Sequence, residues 1–367
     1  MKILLIFEPF SGGHRANFIR WLKAAVPEYS ACRFAFFTFE NLSGEDAIRL
    51  AAAGRWEKQL MLYRLFRAAC RKYNPDHVLI LELTHLEFPL ALFGSPVPVS
   101  AILFVQYPEL PRGLKFFSKH WKTALLLRRT PVKNLFLLNG EHSCNWLKER
   151  FGSFTRFIPV PDPAPDTDPD PEFAMRDSYG IDLSRRIFLF FGAISPRKGA
   201  DVLINALHLL PPKTAAKSTF LFCGEPEQHY RKTFEKSVAR LRAGRPDIKL
   251  NIEDRFVSDQ RMMALFEQSD VVLMPYIRPE YSSGILALAA KACAPVIGPD
   301  SGLLGRLIRQ NGLGAVCSVS PEALAKRIAE GVQHLPSVDE SKRSEFVKKS
   351  CPEQFSQIIL NAVCYEC

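Results

Sequence analysis

The chain has 367 residues, 47% of them apolar and 23% charged, with a net charge of +10 at pH 7. That length suits two domains of ordinary size, and the composition is that of a globular protein rather than a disordered or fibrous one. No apolar run approaches the roughly 20 residues needed to cross a bilayer, and a basic surface suits nucleic acid, anionic lipid and phosphorylated ligands alike, so charge alone selects no partner.

In chain order, the apolar run 3–7 predicts a parallel strand covered on both faces. It is too short for the core of a signal peptide, and no small-residue cleavage site follows. A turn over 8–14 contains Gly12, Gly13 and His14. Phe18, Trp21, Leu22 and Ala25 then recur at helical spacing until Pro27. Strands are predicted at 34–39, 78–83, 100–105 and 135–138, with helices over 45–53, 56–73 and 142–151. Strands alternating with helices imply a parallel, doubly wound sheet. Segment 115–129 mixes Lys115, Lys119, Lys122, Arg128 and Arg129 with Phe116, Phe117 and Trp121. Its apolar and basic residues separate only partly, which favours a helix with one side in the core; the alternative is a basic amphipathic helix lying on an anionic membrane surface.

Pro159, Pro161, Pro163, Pro165, Pro169 and Pro171 alternate with Asp162, Asp166, Asp168 and Asp170. Such a segment sustains neither helix nor sheet ladder and is expected to be an extended linker. The expected division is therefore a first domain over 1–160, a linker over 161–180, a second domain over 181–340 and a C-terminal tail over 341–367. The second domain repeats the rhythm, with strands at 187–191, 219–222, 249–252, 271–274 and 296–297 and helices over 200–209, 227–241, 259–268, 284–292 and 321–332. A last helical stretch over 341–363 has no strand after it and is expected to cross back onto the first domain.

The cysteines, Cys32, Cys70, Cys144, Cys223, Cys293, Cys317, Cys351, Cys364 and Cys367, are odd in number and irregular in spacing. That pattern implies reduced thiols in a cytoplasmic protein. Cys364 and Cys367 form a C-x-x-C without the second ligand pair that a structural zinc site needs. Asp166-Thr167-Asp168 spells a metal-binding D-x-D, but inside the proline-rich linker rather than beside a strand end. No metal and no cofactor are expected.

Two loops carry the chemistry. Pro279-Glu280-Tyr281-Ser282-Ser283-Gly284 follows the apolar strand 271–274 and opens a helix of small residues. Ser282, Ser283 and Gly284 at a helix start leave backbone N–H groups outward, an anion site outside the carboxyl ends of the strands. Phe191-Gly192-Ala193-Ile194-Ser195-Pro196-Arg197-Lys198-Gly199 follows another strand and opens another helix. The first of these segments, with Ala294-Pro295-Val296-Ile297 after it, resembles the Glu-x7-Glu signature of family-four glycosyltransferases (glycosyl transferases group 1). Glu280 falls on the first glutamate, and Leu288 stands where the second, ribose-binding glutamate belongs. The second segment resembles the family's glycine–arginine–x3–lysine–glycine run, with Lys198 on the diphosphate-binding lysine, Ala193 in place of the arginine, and Arg197 a nearby cation. Gly224 after strand 219–222, Val257-Ser258-Asp259 and Ser269-Asp270 extend the similarity over about 188–319.

The resemblance implies an α/β protein of two Rossmann-like, doubly wound domains facing a central cleft, the GT-B fold. It implies a retaining enzyme that moves a sugar from a nucleotide-diphosphate donor, bound by Gly192, Arg197, Lys198, Gly224, Glu280, Ser282, Ser283 and Gly284, to a glycan or lipid acceptor held on the first domain. Lys198 and Glu280 would act at the donor, with His85 as the cleft histidine; Gly12, Gly13 and His14 would lie on the acceptor side. Gln106 stands where related enzymes frequently have histidine. Glu253 is a substitute candidate for the missing ribose ligand. Nucleic acid is not an expected partner, because the basic residues are dispersed and no recognised motif is present. The expected location is cytoplasmic, with contact at the inner face of the membrane as the alternative reading of 115–129. The alternative function is a catalytically inactive relative that binds a nucleotide sugar or a partner.

Overall fold

A computed structural model describes residues 1–10, 12, 14–104, 113–152 and 154–365, without the side chains of 14 and 114–116. The chain divides into two compact units, residues 1–162 with 352–367 and residues 163–351. In unit 1, β1 (Lys2–Glu8), β2 (Cys32–Thr38), β3 (His77–Ile80), β4 (Val99–Leu103), β5 (Val132–Leu138) and β6 (Arg156–Val160) pair in the order β2-β1-β3-β4-β5-β6. In unit 2, β7 (Arg186–Phe191), β8 (Ser218–Cys223), β9 (Lys249–Glu253), β10 (Val271–Leu273), β11 (Val296–Pro299) and β12 (Gly314–Cys317) pair in the order β12-β11-β10-β7-β8-β9. Every pairing is parallel.

The strands are apolar throughout because both faces are covered. Leu5 and Phe7 enter one core of unit 1, and Leu4 and Ile6 enter the other. Unit 2 repeats the device, with Ile187 and Leu189 on one side of the sheet and Phe188 and Phe190 on the opposite side. This alternation follows from the two-residue period of a strand.

Three departures from the sequence expectations have plain causes. Segment 161–180 is not a free linker, because Ala164, Phe173 and Met175 are buried in a core of unit 2. Pro159 belongs to β6, an edge strand, where a missing N–H is tolerated. The stretch 341–363 is two helices, Glu340–Lys349 in unit 2 and Pro352–Cys364 in unit 1, interrupted at Ser350 and Cys351 ahead of Pro352. Helices Glu87–Phe93 and Gly302–Gln310 and the edge strand β12 went unread in the sequence.

The last helix is a structural member of unit 1. Phe355 is fully buried, with its ring centroid 4.5 Å from that of Phe18, and Tyr29 donates its hydroxyl to Asn361 Oδ1 at 3.0 Å. The four tryptophans, Trp21, Trp56, Trp121 and Trp146, all lie in unit 1, so tryptophan fluorescence reports its unfolding selectively. Phe355→Ala is expected to lower the stability of unit 1 by about 3–5 kcal/mol, the usual range for emptying a buried phenylalanine site. A denaturant titration followed by fluorescence checks this; an unchanged midpoint would show that the C-terminal helix adds little to unit 1.

Candidate functional site

In unit 2 the sheet order reverses between β7 and β10, and the loops that leave these strands are packed together. Strand β7 ends at Phe191, and Gly192, at φ +90°, turns the chain away. After the single turn Pro196–Lys198, the Lys198 side chain folds back over the strand end. Its Nζ donates to the Phe191 carbonyl at 3.1 Å and stands 5.6 Å from the centre of the Tyr276 ring. A Cβ at Gly192 would lie 2.4 Å from that nitrogen, so space and backbone conformation both call for glycine.

The remaining contacts bring backbone against backbone. Gly199, at φ +78°, lets the start of helix Ala200–His208 approach the end of β10, where a Cβ would stand 1.8 Å from the Pro275 carbonyl oxygen. Ile277 donates its amide to the Arg197 carbonyl at 3.0 Å, joining the two loops. Gly224, just past β8, lies so near Gly192 that a Cβ would meet the Gly192 carbonyl oxygen at 2.3 Å. The Arg197 side chain is exposed, as is Ala193.

Beyond β10, Glu280 is 3% exposed and accepts from Arg278 Nη1 at 3.2 Å. Burial, and then the neighbouring Glu280, holds the Tyr281 phenol above its usual value. Ser282 and Ser283 are half-buried. Ser283 precedes helix Gly284–Lys291 without capping it; its hydroxyl lies 3.4 Å from the Tyr276 hydroxyl instead. The Ser283 side chain thus leaves this helix start, which carries the positive end of the helix dipole, without an N-cap hydrogen bond.

Leu288 is 4% exposed and belongs to an apolar core, so it offers a ribose no hydrogen bond. Glu253 does not replace it, because its carboxylate is already occupied. Oε1 accepts from Arg255 Nε and Nη2 at 2.8 and 2.6 Å, and Tyr179 donates its hydroxyl to Oε2. Burial pushes the Glu253 carboxyl up, but these hydrogen bonds outweigh it and hold the group below its usual value. Past β9 a cavity of about 290 Å³ is lined by Asp170, Arg255, Phe256, Val257, Ser258 and Arg261. Phe256 is 80% exposed, and Ser258 caps helix Asp259–Glu267 by accepting from the Arg261 amide at 3.2 Å.

In unit 1 His85 follows β3 in the turn Leu83–His85. Burial holds its imidazole below the usual value, with Glu82 acting against that shift. Its ring centroid is 5.8 Å from that of Phe10, and the Arg15 guanidinium lies 4.9 Å from the Phe10 centroid while pairing with Glu82. Glu8, the last residue of β1, is 1% exposed. Gly12 is exposed and unconfined, whereas Gly13, Gln106 and Cys367 lie outside the described residues, as does the side chain of His14. Glu8, Arg15, Glu82, Tyr276 and Arg278 were not singled out in the sequence; a glutamate closing an apolar strand was the one available signal.

Among the described residues no group of three or more His, Cys, Asp or Glu side chains is placed to hold a metal ion. Asp166, of the D-x-D triplet, pairs instead with Lys291 at 2.8 Å.

Residues 172–343 match the family model described as glycosyl transferases group 1. The matched span lies wholly within unit 2. Two curated relatives, the D-inositol 3-phosphate glycosyltransferases of Mycolicibacterium gilvum (strain PYR-GCK) and Mycolicibacterium vanbaalenii (strain DSM 7251), are each 28% identical, over 204 and 198 residues. The matches cover 53% and 49% of this chain but 43% and 41% of the relatives, so the chain spans less than half the length of the curated relatives it matches. Among solved structures, trehalose-6-phosphate synthase OtsA superposes with a TM-score of 0.73 at 12% identity, covering 100% of this chain and 99% of that one. Anabaena HepE in complex with UDP gives 0.67 at 15%, covering 99% of both chains. WaaG, a glycosyltransferase of lipopolysaccharide biosynthesis, gives 0.67 at 17%, covering 97% and 99%. These likenesses establish the fold, the two-unit GT-B fold. The matched span contains Gly192, Lys198, Gly224 and Glu280 together.

Gly199→Ala forces a Cβ into a carbonyl oxygen at a left-handed position and is expected to destabilise unit 2 by about 3 kcal/mol or more, read as a lowered midpoint in circular dichroism. A pH dependence is expected in unit 1. Burial raises the Glu8 carboxyl from 4.5 to about 8, against the pull of Arg15 and the Phe10 amide and with a small addition from Glu82. The folded chain therefore keeps a proton that the unfolded chain releases, and unit 1 loses stability as pH rises from 4.5 to about 8. Glu8→Gln removes that slope. Its fluorescence midpoint should equal the wild-type value near pH 4.5 and exceed it above pH 8, by at most about 5 kcal/mol at roughly 1.4 kcal/mol per unit.

Proposed function

We propose that the chain is a retaining, nucleotide-sugar-dependent glycosyltransferase, with the donor on unit 2 and the acceptor on unit 1. The observation that carries this reading is Lys198, a buried cation folded over Gly192 at the switch point of the unit 2 sheet. A diphosphate there meets the ammonium, the exposed Arg197 and the uncapped start of helix Gly284–Lys291. Fixed positive charge at the leaving group stabilises the charge that develops as the glycosidic bond breaks, and such preorganised electrostatics commonly lowers a barrier more than any other single effect. Glu280, held by Arg278, is assigned the hydroxyls of the donor sugar.

The base is assigned to the cavity past β9 in this reading. Strands β7 and β9 are two spacings apart, about 10 Å. A nucleoside running from a diphosphate at Lys198 reaches the cavity past β9, where Phe256 offers a ring and Arg255 and Arg261 offer cations. The UDP and UDP-glucose complexes of HepE support a uridine donor. With Leu288 in the core, the ribose hydroxyls are left to backbone or water, which costs about 1–3 kcal/mol of donor affinity. Retention has the departing phosphate take the proton of the acceptor hydroxyl on the face from which it leaves.

Contact with an anionic membrane face is a further element of this reading. Helix Leu114–Arg129 buries Leu126 and Thr123 and fixes Lys119 to Glu87, but leaves Phe117 and Trp121 67% and 56% exposed and exposes Arg128 and Arg129 in its last turn.

Turnover of UDP-glucose, followed by release of UDP with water or acceptor, tests the main reading. Lys198→Ala is expected to lower kcat/KM by about 100- to 1000-fold, the range for removing one fixed donor at a developing charge. Equal turnover by the variant would remove Lys198 from the donor site, and no turnover by the folded wild type with uridine, guanosine or adenosine diphosphate sugars would favour an inactive binding protein.

A further inference from the structure

The unit 1 sheet also has a switch point, between β1 and β3, where ligands of open α/β sheets enter beyond the carboxyl ends of the strands. The chemistry collected there is not used by the donor site. Glu8 closes β1, Arg15 stands in the first turn of helix His14–Ala25, and Glu82 and His85 follow β3. Glu8 is only 1% exposed, yet of its two oxygens only Oε1 is bonded, by the Phe10 amide at 3.1 Å. Among the described residues its second oxygen has no hydrogen-bond partner. A buried carboxyl with a spare oxygen is costly to keep, and a ligand hydroxyl supplies the bond it lacks.

We propose that Glu8, Glu82 and His85 bind a neutral polyhydroxylated molecule, a sugar or cyclitol, with the Phe10 ring beneath its apolar face. That this molecule is the acceptor of glycosyl transfer rests on the reading of the donor site. The chemistry selects the class. Carboxyl and imidazole groups both accept from and, when protonated, donate to hydroxyls, and the Glu8 carboxyl, raised to about 8 by burial, offers one of each near neutral pH. An anionic ligand is disfavoured, because the Arg15 guanidinium is already paired with Glu82. A polar cluster beside an aromatic ring matches the alternating hydroxyl and C–H surfaces of a sugar.

The test is saturation-transfer NMR on the full chain with glycerol, myo-inositol and methyl α-glucoside as probes, and UDP-glucose alongside. Wild type is compared with Glu8→Leu, which removes the hydrogen bonds, Glu8→Gln, which keeps both a donor and an acceptor, and Glu82→Gln. At least one polyol should bind wild type and Glu8→Gln, and bind Glu8→Leu at least about tenfold more weakly, the loss of a buried hydrogen bond. UDP-glucose binding should stay the same throughout. If Glu8→Leu does not fold, as judged by tryptophan fluorescence, the same loss is required of Glu82→Gln. Polyol binding indifferent to these changes, or no polyol bound by a wild type that binds UDP-glucose, overturns the proposal. A Glu8-dependent polyol signal without any nucleotide-sugar binding would uphold the site and remove the donor reading instead.

Discussion

The contact on which the candidate site of unit 2 depends is a lysine ammonium seated on a glycine. Lys198 reaches the Phe191 carbonyl only because Gly192 has no side chain, and Gly192 in turn takes a positive φ that L side chains rarely adopt. The neighbouring glycines extend the arrangement, since Gly199 and Gly224 allow two further loops to pack directly on backbone carbonyls. A cation that is buried, fixed and aimed at a strand end is preorganised for an anionic group, and no reorganisation is needed when that group's charge grows.

Both units solve the same problem with the same topology. Each sheet reverses its strand order next to its first strand, and each reversal gathers polar side chains at the carboxyl ends of the two strands that flank it. The chemistry differs in sign. Unit 2 presents Lys198, Arg197 and an uncapped helix start, which suits a diphosphate; unit 1 presents two carboxyls and an imidazole, which suits hydroxyls. The proposed glycosyl transfer, with an anionic leaving group and a hydroxylated acceptor, asks for that division of labour.

Much of the architecture was legible because buried parallel strands are continuous apolar runs. The strands ending at Phe7, Phe191 and Cys223 stand out for that reason, and the glycines after the latter two mark the loops. Legibility failed at the edges. Strand β6 carries Pro159 and β12 is only half-buried, so neither has the apolar run of a central strand. The proline-rich segment looked like a linker because periodicity cannot register Phe173 and Met175 docking on a distant core. Within the site, Gly192, Lys198 and Glu280 were visible through local motif, whereas Tyr276 meets Lys198 from a different strand end, far along the chain, and left no local trace. Glu253 has a suitable position in the chain, but its capture by Tyr179 and Arg255 is a tertiary fact.

The central claim is that Lys198 anchors the diphosphate of a nucleotide sugar. Ligand-observed NMR with uridine, guanosine and adenosine diphosphate sugars, on wild type and Lys198→Ala, addresses it most directly. The account predicts that one nucleotide class binds the wild type and that this binding disappears in the variant. Binding of equal strength to both proteins, or of no donor to a folded wild type, would contradict it.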